Sequence, residues 1–353
     1  MKVIIGWDIG GVNTKVAFLG LRKGKIEEAT ISSEYFEIWR DKQGLSSLLR
    51  RMALSRIQGD RPSAMAVTMT AELSDIFCTK REGVAFILDS LEEAFPEIPL
   101  YVFSVDGSFV SSLEAKEDPL RVAAANWMAT ALLLASRYRS GLLMDVGSTT
   151  TDIIPILEGQ VLARGKNDLE RLIAGELAYS GVLRTPVSAL VSKVPVGGRM
   201  CRVSSEYFAI SGDVYIILGL ISESDYVCPT PDGRGKDPGS ARERLARVVC
   251  ADAEMLGPES IDQMAIYIME RQVQQITEAL SQVLSALEES YISLKGSHQD
   301  LPAIATGLGS FLARRSVERL GLKVIDLEKE WGRDCRLATP AFAVAHLLKD
   351  RIR

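Results

Sequence analysis

The feature that most constrains the fold is a turn that occurs twice in the chain. Each copy follows an apolar run ending in an aspartate, Asp8 or Asp145, and reads aspartate, β-branched residue, glycine, three residues, threonine, charged residue. The copies occupy residues 8–15 and 145–152, about 137 residues apart, which is far longer than a solenoid repeat. The pattern predicts two related lobes, each opening with a β-hairpin whose turn faces a shared cleft.

Short β-rich runs alternate with longer helical patterns, which predicts an α/β fold. The first lobe, 1–138, is predicted to contain strands at 3–7, 15–19, 25–33, 64–69 and 100–103 and helices near 45–56, 84–94 and 119–136. The second lobe, 139–353, is predicted to contain strands at 142–145, 151–157, 303–306 and 323–326 and helices at 260–294, 310–320 and 339–352. An insertion at about 169–260 includes a loop rich in proline and glycine at 222–239.

The long predicted helix begins with Ser260 and Gln263 as a capping box. Its apolar stripe is formed by residues at a spacing of three or four: Ile266, Met269, Val273, Ile276, Leu280, Val283 and Leu287. Such a stripe belongs either to the core or to a face between two copies of the chain, so a homo-oligomer stays open.

Composition excludes several classes of protein. The chain has 353 residues, with 41 Lys and Arg against 46 Asp and Glu, a net charge of −5, and 47% hydrophobic residues. This composition describes a globular chain and argues against disorder and against a sequence-independent binder of nucleic acid, which needs a basic excess. The cysteines are spread singly, without the spacing of a zinc site, and are expected to be reduced thiols: Cys78, Cys201, Cys228, Cys250 and Cys335.

The chain shows no sign of membrane insertion or export. Asp8 interrupts the N-terminal apolar stretch too early for a signal peptide. The longest apolar run, 122–135, contains Asn126 and is shorter than the roughly 18 residues that span a bilayer. A cytoplasmic protein without a membrane partner is therefore expected.

The first turn has the residue types of a phosphate site. Glycines allow close approach of the backbone, hydroxyl and amide groups donate hydrogen bonds, and a lysine adds charge: Gly10, Gly11, Asn13, Thr14 and Lys15. Because a bare phosphate would repel Asp8, a Mg²⁺ ion or its water shell is the expected mediator. By itself such a turn is equally consistent with a plain hairpin.

The second turn repeats this chemistry, with Asp145 ahead of Gly147, Ser148, Thr149, Thr150 and Thr151. Two such turns suit a diphosphate or triphosphate, and Asp8 and Asp145 are the predicted metal ligands. A third turn places Gly307, Gly309 and Ser310 between a strand and the N-terminus of a helix, which favours an anion, a ring or the edge of a nucleotide.

In order and spacing, the three turns resemble the phosphate-1, phosphate-2 and adenosine motifs of the acetate kinase, sugar kinase, Hsp70 and actin superfamily, and within it the hydantoinase/oxoprolinase-like branch. This resemblance implies two ribonuclease-H-like lobes with an interlobe cleft. Segments 68–75, 175–186 and 247–252 are similar to the tetrahydromethanopterin-linked C1-transfer pathway family. The resemblance to this family covers essentially the whole chain. Ala71 stands where this pattern leads us to expect glycine, which affects the local turn geometry.

That resemblance implies a transferase of methanofuran biosynthesis. Such an enzyme joins 5-(aminomethyl)furan-3-ylmethyl diphosphate to γ-glutamyltyramine, forms an aryl ether and releases diphosphate. The attacking phenol has a pKa near 10, so a carboxylate within reach could accept its proton, and Glu72, Asp75 and Asp145 are the candidates. Without the resemblance, an exposed acidic face or a pair at the start of a helix is the more common explanation for Glu72 and Asp75.

Arginines could bind a diphosphate or the γ-glutamyl carboxylate, and Arg184, Arg199 and Arg234 stand in suitable contexts, although surface ion pairs explain each equally well. His298 and His346 are poor candidates for catalysis.

Two other functions remain open. One is an ATP-dependent kinase or hydantoinase-like hydrolase, which would bind ATP, and the other is a non-catalytic nucleotide sensor or scaffold.

Overall fold

A computed structural model describes residues 2–54, 62–291, 301–331 and 339–352. Their contacts divide the chain into two compact units. The first unit comprises Met1–Ser140, Ile156–Arg171 and Glu328–Arg353, and the second comprises Gly141–Pro155 and Leu172–Leu327.

The first unit is built on a six-stranded sheet with the order β3-β2-β1-β4-β5-β6. Its strands are β1 (Lys2–Ile9), β2 (Asn13–Arg22), β3 (Lys25–Tyr35), β4 (Ala64–Met69), β5 (Leu100–Phe103) and β6 (Phe109–Val110). Its helices are α1 (Leu45–Leu54), α2 (Lys80–Ala94), α3 (Ser112–Glu117) and α4 (Asn126–Ala135), with short 3₁₀ helices at Lys42–Gly44, Ala71–Leu73 and Pro119–Arg121. Strands β1, β4 and β5 are parallel, while β2 and β3 run antiparallel to their neighbours.

The second unit repeats this topology in the order β10-β8-β7-β13-β14. Its strands are β7 (Gly141–Val146), β8 (Thr151–Leu157), β10 (Leu177–Ala178), β13 (Ala303–Thr306) and β14 (Val324–Asp326), and β9 (Gln160–Val161) pairs with β8. In both sheets a first strand pairs with an antiparallel hairpin partner on one side and with a parallel strand on the other. This is the ribonuclease-H-like strand order, so the predicted α/β fold with two such lobes is confirmed.

The remaining elements complete the second unit and the C-terminus. The helices are α5 (Asp168–Ala174), α6 (Val187–Leu190), α7 (Ser211–Ile217), α8 (Pro238–Arg247), α9 (Ala253–Leu256), α10 (Pro258–Tyr291), α11 (Ser310–Arg319), α12 (Leu327–Trp331) and α13 (Pro340–Arg351). A separate hairpin consists of β11 (Lys193–Val196) and β12 (Arg199–Arg202). Strand β10 lies inside the predicted insertion, 169–260, yet pairs with β8 in the main sheet.

The C-terminal helix α13 packs on the sheet of the first unit, whereas the sequence prediction placed residues 328–353 in the second lobe. Arg351 donates to the carbonyl of Phe109 at 2.7 Å, and Lys2 donates to the carbonyl of Ile352 at 3.0 Å. The close approach depends on Gly6 in β1, since a β-carbon there would overlap the carbonyl oxygen of Ala341. A glycine near the N-terminus thus selects where a helix more than 330 residues later packs.

Replacing Gly6 with alanine is expected to lower the free energy of unfolding by about 1–3 kcal/mol, because the added methyl group forces α13 away from β1. Thermal unfolding followed by circular dichroism measures this effect. Lys25→Ala, at the exposed end of β3, is the control and should change the melting temperature little. Equal stability of Gly6→Ala and the wild-type protein would contradict this packing.

Two helices differ from their predicted bounds. Residues 119–136 form no single helix, because Ala124 has φ of 50° and separates the 3₁₀ helix Pro119–Arg121 from α4. Helix α10 begins at Pro258 after Gly257, whose φ is 73°, and therefore not at the predicted capping box. The predicted stripe of α10 is buried in the core except for Ile266, which is 48% exposed. The predicted end at 294 lies outside the described residues.

The described cysteines, Cys78, Cys201, Cys228 and Cys250, are free thiols, and Cys335 lies outside the described residues. Among the described helices, none combines the length and apolar character that crossing a membrane requires.

Candidate active site

The two repeated turns close with the same hydrogen bond. In the first unit the amide of Gly10 donates to the carbonyl of Asn13 at 3.0 Å, and in the second the amide of Gly147 donates to the carbonyl of Thr150 at 2.8 Å. Gly10, Gly11 and Asn13 are partly exposed, as are Gly147, Ser148, Thr149 and Thr150. Both turns therefore present backbone and polar groups at the end of a central strand, as the sequence predicted.

Three polar side chains form a row across the first sheet. Asp8 of β1 pairs in register with Lys15 of β2 and Thr68 of β4, so the three side chains point to the same face. Asp8 is 5% exposed, and its Oδ2 lies 3.5 Å from Lys15 Nζ. Its Oδ1 has no hydrogen-bond partner among the described residues. Burial raises the pKa of Asp8, and the charge of Lys15 opposes that rise.

Two hydroxyl groups that sequence reasoning did not select lie against the first turn. A β-carbon built at Gly11 would lie 2.9 Å from Ser74 Oγ, and one at Gly10 would lie 3.5 Å from Thr70 Oγ1. The amide of Thr70 also donates to the carbonyl of Ile9 at 2.9 Å. The segment 68–75 did carry a signal, since it combines three hydroxyl residues with two carboxylates directly after a strand.

Glu72 is buried in the 3₁₀ helix after β4 and does not form part of an exposed acidic face. Lys80 Nζ lies 3.7 Å from its Oε1 and also bonds Asp168 at 3.1 Å. Burial raises the pKa of Glu72 to about 7, although Lys80 opposes the rise. Neither carboxylate oxygen has a hydrogen-bond partner among the described residues. Asp75, the neighbouring candidate, is exposed.

The two threonines at the start of the second hairpin strands, Thr14 in β2 and Thr151 in β8, are both buried. Thr14 is fully buried, and its hydroxyl has no hydrogen-bond partner among the described residues. Thr151 is also fully buried and donates to the carbonyl of Ser180 at 2.7 Å. The hydroxyl of Thr151 is therefore engaged within the protein in this structure.

The second turn is held by the segment 180–184. The amide of Val182 donates to the carbonyl of Gly147, and the amides of Leu183 and Arg184 both donate to the carbonyl of Ser148, each at 3.0 Å. The buried side chain of Gln272 in α10 donates to Ser180 Oγ and to the carbonyl of Gly181, each at 2.9 Å. These hydrogen bonds hold the second turn in place. They give the segment 175–186 a structural role, support of this turn, which the spacing of its residues did not reveal.

The third turn contacts the end of β7. Gly307 has φ of 85°, and a β-carbon there would overlap Asp145 Oδ1, so only glycine allows this approach. The amide of Gly309 donates to the carbonyl of Val146 at 2.8 Å. Ser310 then begins α11. The structure thus brings the third turn against Asp145 and Val146 at the end of β7.

The predicted arginines differ in their positions. Arg184 is partly buried and lies directly beside the second turn through its own amide. Arg199 is exposed in the β11–β12 hairpin, and Arg234 forms an ion pair with Glu243. Only Arg184 is therefore placed beside the second turn by these contacts.

Among the described residues, no group of three or more His, Cys, Asp or Glu side chains could hold a metal ion alone.

The family model for hydantoinase/oxoprolinase matches residues 63–351. The chain belongs to this family. It is 40% identical to the (4-{4-[2-(γ-L-glutamylamino)ethyl]phenoxymethyl}furan-2-yl)methanamine synthase of Methanocaldococcus jannaschii over 354 aligned residues, which cover 100% of this chain and 99% of that protein. It is 38% identical to the synthase of the same name from Methanococcus vannielii, over 60% of this chain and 91% of that protein. The family of these synthases is therefore also the family of this chain.

Solved structures show a more distant likeness. A nucleotide-free acetone carboxylase is 13% identical, with a TM-score of 0.49, covering 98% of this chain and 70% of the carboxylase chain. A hexokinase of the ROK type from Thermus thermophilus is 15% identical, with a TM-score of 0.42, covering 99% of both chains.

Proposed function

We propose that this family member is a synthase of methanofuran biosynthesis that joins 5-(aminomethyl)furan-3-ylmethyl diphosphate to γ-glutamyltyramine. The observation that carries the proposal is the 40% identity, over the whole chain, to a protein named for the ether product. That name contains a phenoxymethyl group on a furan, so the bond to be formed is an ether between a phenol oxygen and a furanylmethyl carbon.

The proposed reaction is a displacement at that carbon. The phenol oxygen forms the new C–O bond, the C–O bond to diphosphate breaks, and diphosphate leaves with the bonding electrons. The electron-rich furan stabilises positive charge that develops on the carbon. The protein therefore has to hold the negative charge of the diphosphate, orient the phenol and accept one proton.

The first unit supplies charge and hydrogen-bond donors for the diphosphate. Lys15 Nζ provides positive charge next to Asp8, and the turn presents Gly10, Gly11 and Asn13. The hydroxyls of Thr70 and Ser74 lie against the same turn and can donate to phosphate oxygens. In the second unit, Gly147, Ser148, Thr149 and Thr150 present the corresponding groups.

The donor set fits a Mg²⁺ ion that is bound together with the diphosphate. Mg²⁺ is commonly held by one or two carboxylates, substrate phosphates and water, and does not need an all-protein site. The unpartnered, buried Oδ1 of Asp8 would be one such ligand in the first unit, and Asp145 is a candidate in the second. When bound, the ion would neutralise charge that develops on the leaving diphosphate.

Glu72 is the proposed acceptor of the phenol proton. Its pKa of about 7 leaves much of it ionised near neutral pH while keeping it basic enough to accept a proton. Lys80 lies between Glu72 and Asp168 and is itself partly exposed. Because the Glu72 side chain is fully buried, transfer of the phenol proton to it requires a small movement of the 3₁₀ helix Ala71–Leu73 when substrate binds.

The test is an assay of purified protein with Mg²⁺, comparing both organic substrates together, each substrate alone, and ATP alone. Release of diphosphate only with both substrates, together with the mass of the ether, is expected. Release of phosphate from ATP without ether formation would contradict the synthase activity and assign the protein as a kinase or hydrolase. Binding of substrates without any product would replace it with a binding role.

Asp8→Asn is expected to lower kcat/KM for the diphosphate substrate about 10- to 100-fold while preserving the fold, because the isosteric amide is neutral, so it is a much weaker ligand for a cation and forms no ion pair with Lys15. Steady-state kinetics over a range of Mg²⁺ concentrations measures the effect, which should be largest at low Mg²⁺. The control is Asp89→Asn, an exposed carboxylate that pairs with Lys116 in the first unit. Unchanged kinetics in Asp8→Asn at all Mg²⁺ concentrations would remove Asp8 from the site.

A further inference from the structure

One lysine of the first unit lies between two carboxylates from distant segments of the chain. Lys80 Nζ lies 3.1 Å from Asp168 Oδ2, which is hydrogen-bond distance, and 3.7 Å from Glu72 Oε1, which is too far for a hydrogen bond. The Glu72 side chain is fully buried, whereas those of Lys80 and Asp168 are 20% and 23% exposed. All three residues belong to the first unit. The lysine therefore bonds the more exposed carboxylate and stays just outside bonding distance of the buried one.

Asp168 is held in place by the first turn of α5. The carbonyl of Asn167 accepts from the amide of Arg171 at 2.9 Å, and the Asn167 side chain accepts from the amide of Glu170 at 3.0 Å. The guanidinium group of Arg171 is buried and lies 4.4 Å from the centroid of the Trp127 ring, in a cation–π contact. These contacts anchor the turn that carries Asp168 on the first unit.

The first turn of α2 places Lys80 beside Glu72. Thr79 caps this helix, since its hydroxyl accepts from the amide of Glu82 at 3.2 Å. A β-carbon built at Gly83 would overlap the backbone of Glu72, so α2 directly contacts the 3₁₀ helix that carries Glu72. The lysine therefore extends from a fixed helix start, and both of its carboxylate neighbours have fixed backbones as well.

Among the described residues, Lys80 and Asp168 are the charged groups that shift the pKa of Glu72. Burial raises that pKa, Lys80 opposes the rise and Asp168 adds to it. The other charged residues in the first turn of α2 bond elsewhere, since Arg81 donates to a backbone carbonyl at the end of α3 and Glu82 accepts from a backbone amide just before α2. The proton affinity of Glu72 thus depends on which carboxylate the lysine bonds.

We propose that Asp168 is a positioning residue, which holds the Lys80 ammonium group away from Glu72 and so leaves the Glu72 carboxylate free to accept the phenol proton. This inference rests on the proposed function. A carboxylate in a full ion pair has its lone pairs occupied and its proton affinity lowered, which makes it a poor base. At 3.7 Å, Lys80 still stabilises the charged form of Glu72 before the proton arrives. Asp168 sets the balance between these two effects.

Asp168→Asn is expected to release Lys80 to Glu72, because the neutral amide forms no ion pair with the lysine. The rise of kcat with pH should move to lower pH by about one unit. The maximal kcat should fall about 10-fold, since Glu72 becomes a weaker base, while KM for both substrates changes less than about twofold. Asp168→Glu should restore part of the activity. The matched control is Asp89→Asn, which removes the carboxylate of another pair with a lysine in the first unit.

A double variant separates action through Lys80 from direct action of Asp168 on Glu72. In a Lys80→Met background there is no ammonium group to release, so Asp168→Asn should shift the pH profile by less than half as much as it does in the wild-type protein. A shift of equal size in both backgrounds would overturn the proposal. An unchanged pH profile in the single variant Asp168→Asn would overturn it as well.

Chemical denaturation reports the pKa of Glu72 without the reaction. The extra stability of each protein over its Glu72→Gln counterpart is lost as the pH rises through the pKa of Glu72 in the folded state, so Asp168→Asn should move this loss to lower pH. Such a shift in a protein that forms no ether would support the positioning role but contradict the proposed reaction. Ether formation without such a shift would retain the reaction and overturn the role of Asp168.

Discussion

Replacing Glu72 with glutamine is expected to lower kcat roughly 10²- to 10³-fold, because the amide cannot accept the phenol proton. In the wild-type protein kcat should rise with pH and level off above about 7, as the carboxyl group loses its proton. The variant should lack this rise. Steady-state kinetics from pH 5.5 to about 8.5, within the range where the phenol stays protonated, measures both effects.

Three further variants make the test specific. Lys80→Met removes the positive charge that opposes the raised pKa of Glu72, so the rise in kcat should move to higher pH. Glu93→Gln changes an exposed carboxylate of α2 and is the control for loss of one charge. Asp75→Asn tests the exposed alternative. A loss of activity in Asp75→Asn but not in Glu72→Gln would transfer the role of base to Asp75.

Glu72 also has an effect on stability whose sign follows from its pKa. The pKa of Glu72 in the folded state, about 7, exceeds its ordinary value of 4.5, so the folded state binds the proton more tightly than the unfolded state does. This stabilisation is complete below pH about 4.5 and is lost as the pH rises through about 7. Relative to Glu72→Gln, the wild-type protein should therefore become less stable across this range. Chemical denaturation at several pH values measures the difference.

Arg244→Met is expected to destabilise the second unit by about 3–5 kcal/mol, because it leaves the buried carboxylate of Asp213 without its counter-charge. Urea denaturation monitored by circular dichroism measures the loss. The loss should shrink as the pH falls, since burial raises the pKa of Asp213 and a protonated carboxyl group needs no counter-charge. The double variant Asp213→Asn with Arg244→Met should lose less than the sum of the two single variants.

The same helix supplies the matched control. Arg242 forms an ion pair with Asp262 at 2.8 Å, but both side chains are partly exposed. Arg242→Met should therefore cost at most about 1 kcal/mol, as is typical of ion pairs at the surface. Equal losses in the two arginine variants would show that burial of the Asp213–Arg244 pair does not determine its contribution.

Local patterns in the sequence determined the two turns and the central strands that precede them. An aspartate at the end of an apolar strand, followed by glycine and hydroxyl residues, specifies the same hydrogen-bonded hairpin turn in both units, at Gly10 and at Gly147. The spacing of Met269, Val273 and Ile276 likewise specified the buried side of α10. These features depend on residues within a few positions of one another, and local backbone preference and periodicity reveal them.

Only the tertiary structure decided which distant residues share an environment. From the sequence alone an exposed face was the more common explanation for Glu72, and its burial follows from how the 3₁₀ helix after β4 packs. Lys80 bonds Asp168, 88 positions away in the sequence, and Arg244 bonds Asp213, 31 positions away. Contacts of this kind are set by the crossover connections between parallel strands and by the packing of helices on the sheets, which no local pattern encodes. The sequence thus determined where the polar turns lie, while the fold decided which charges are buried and paired.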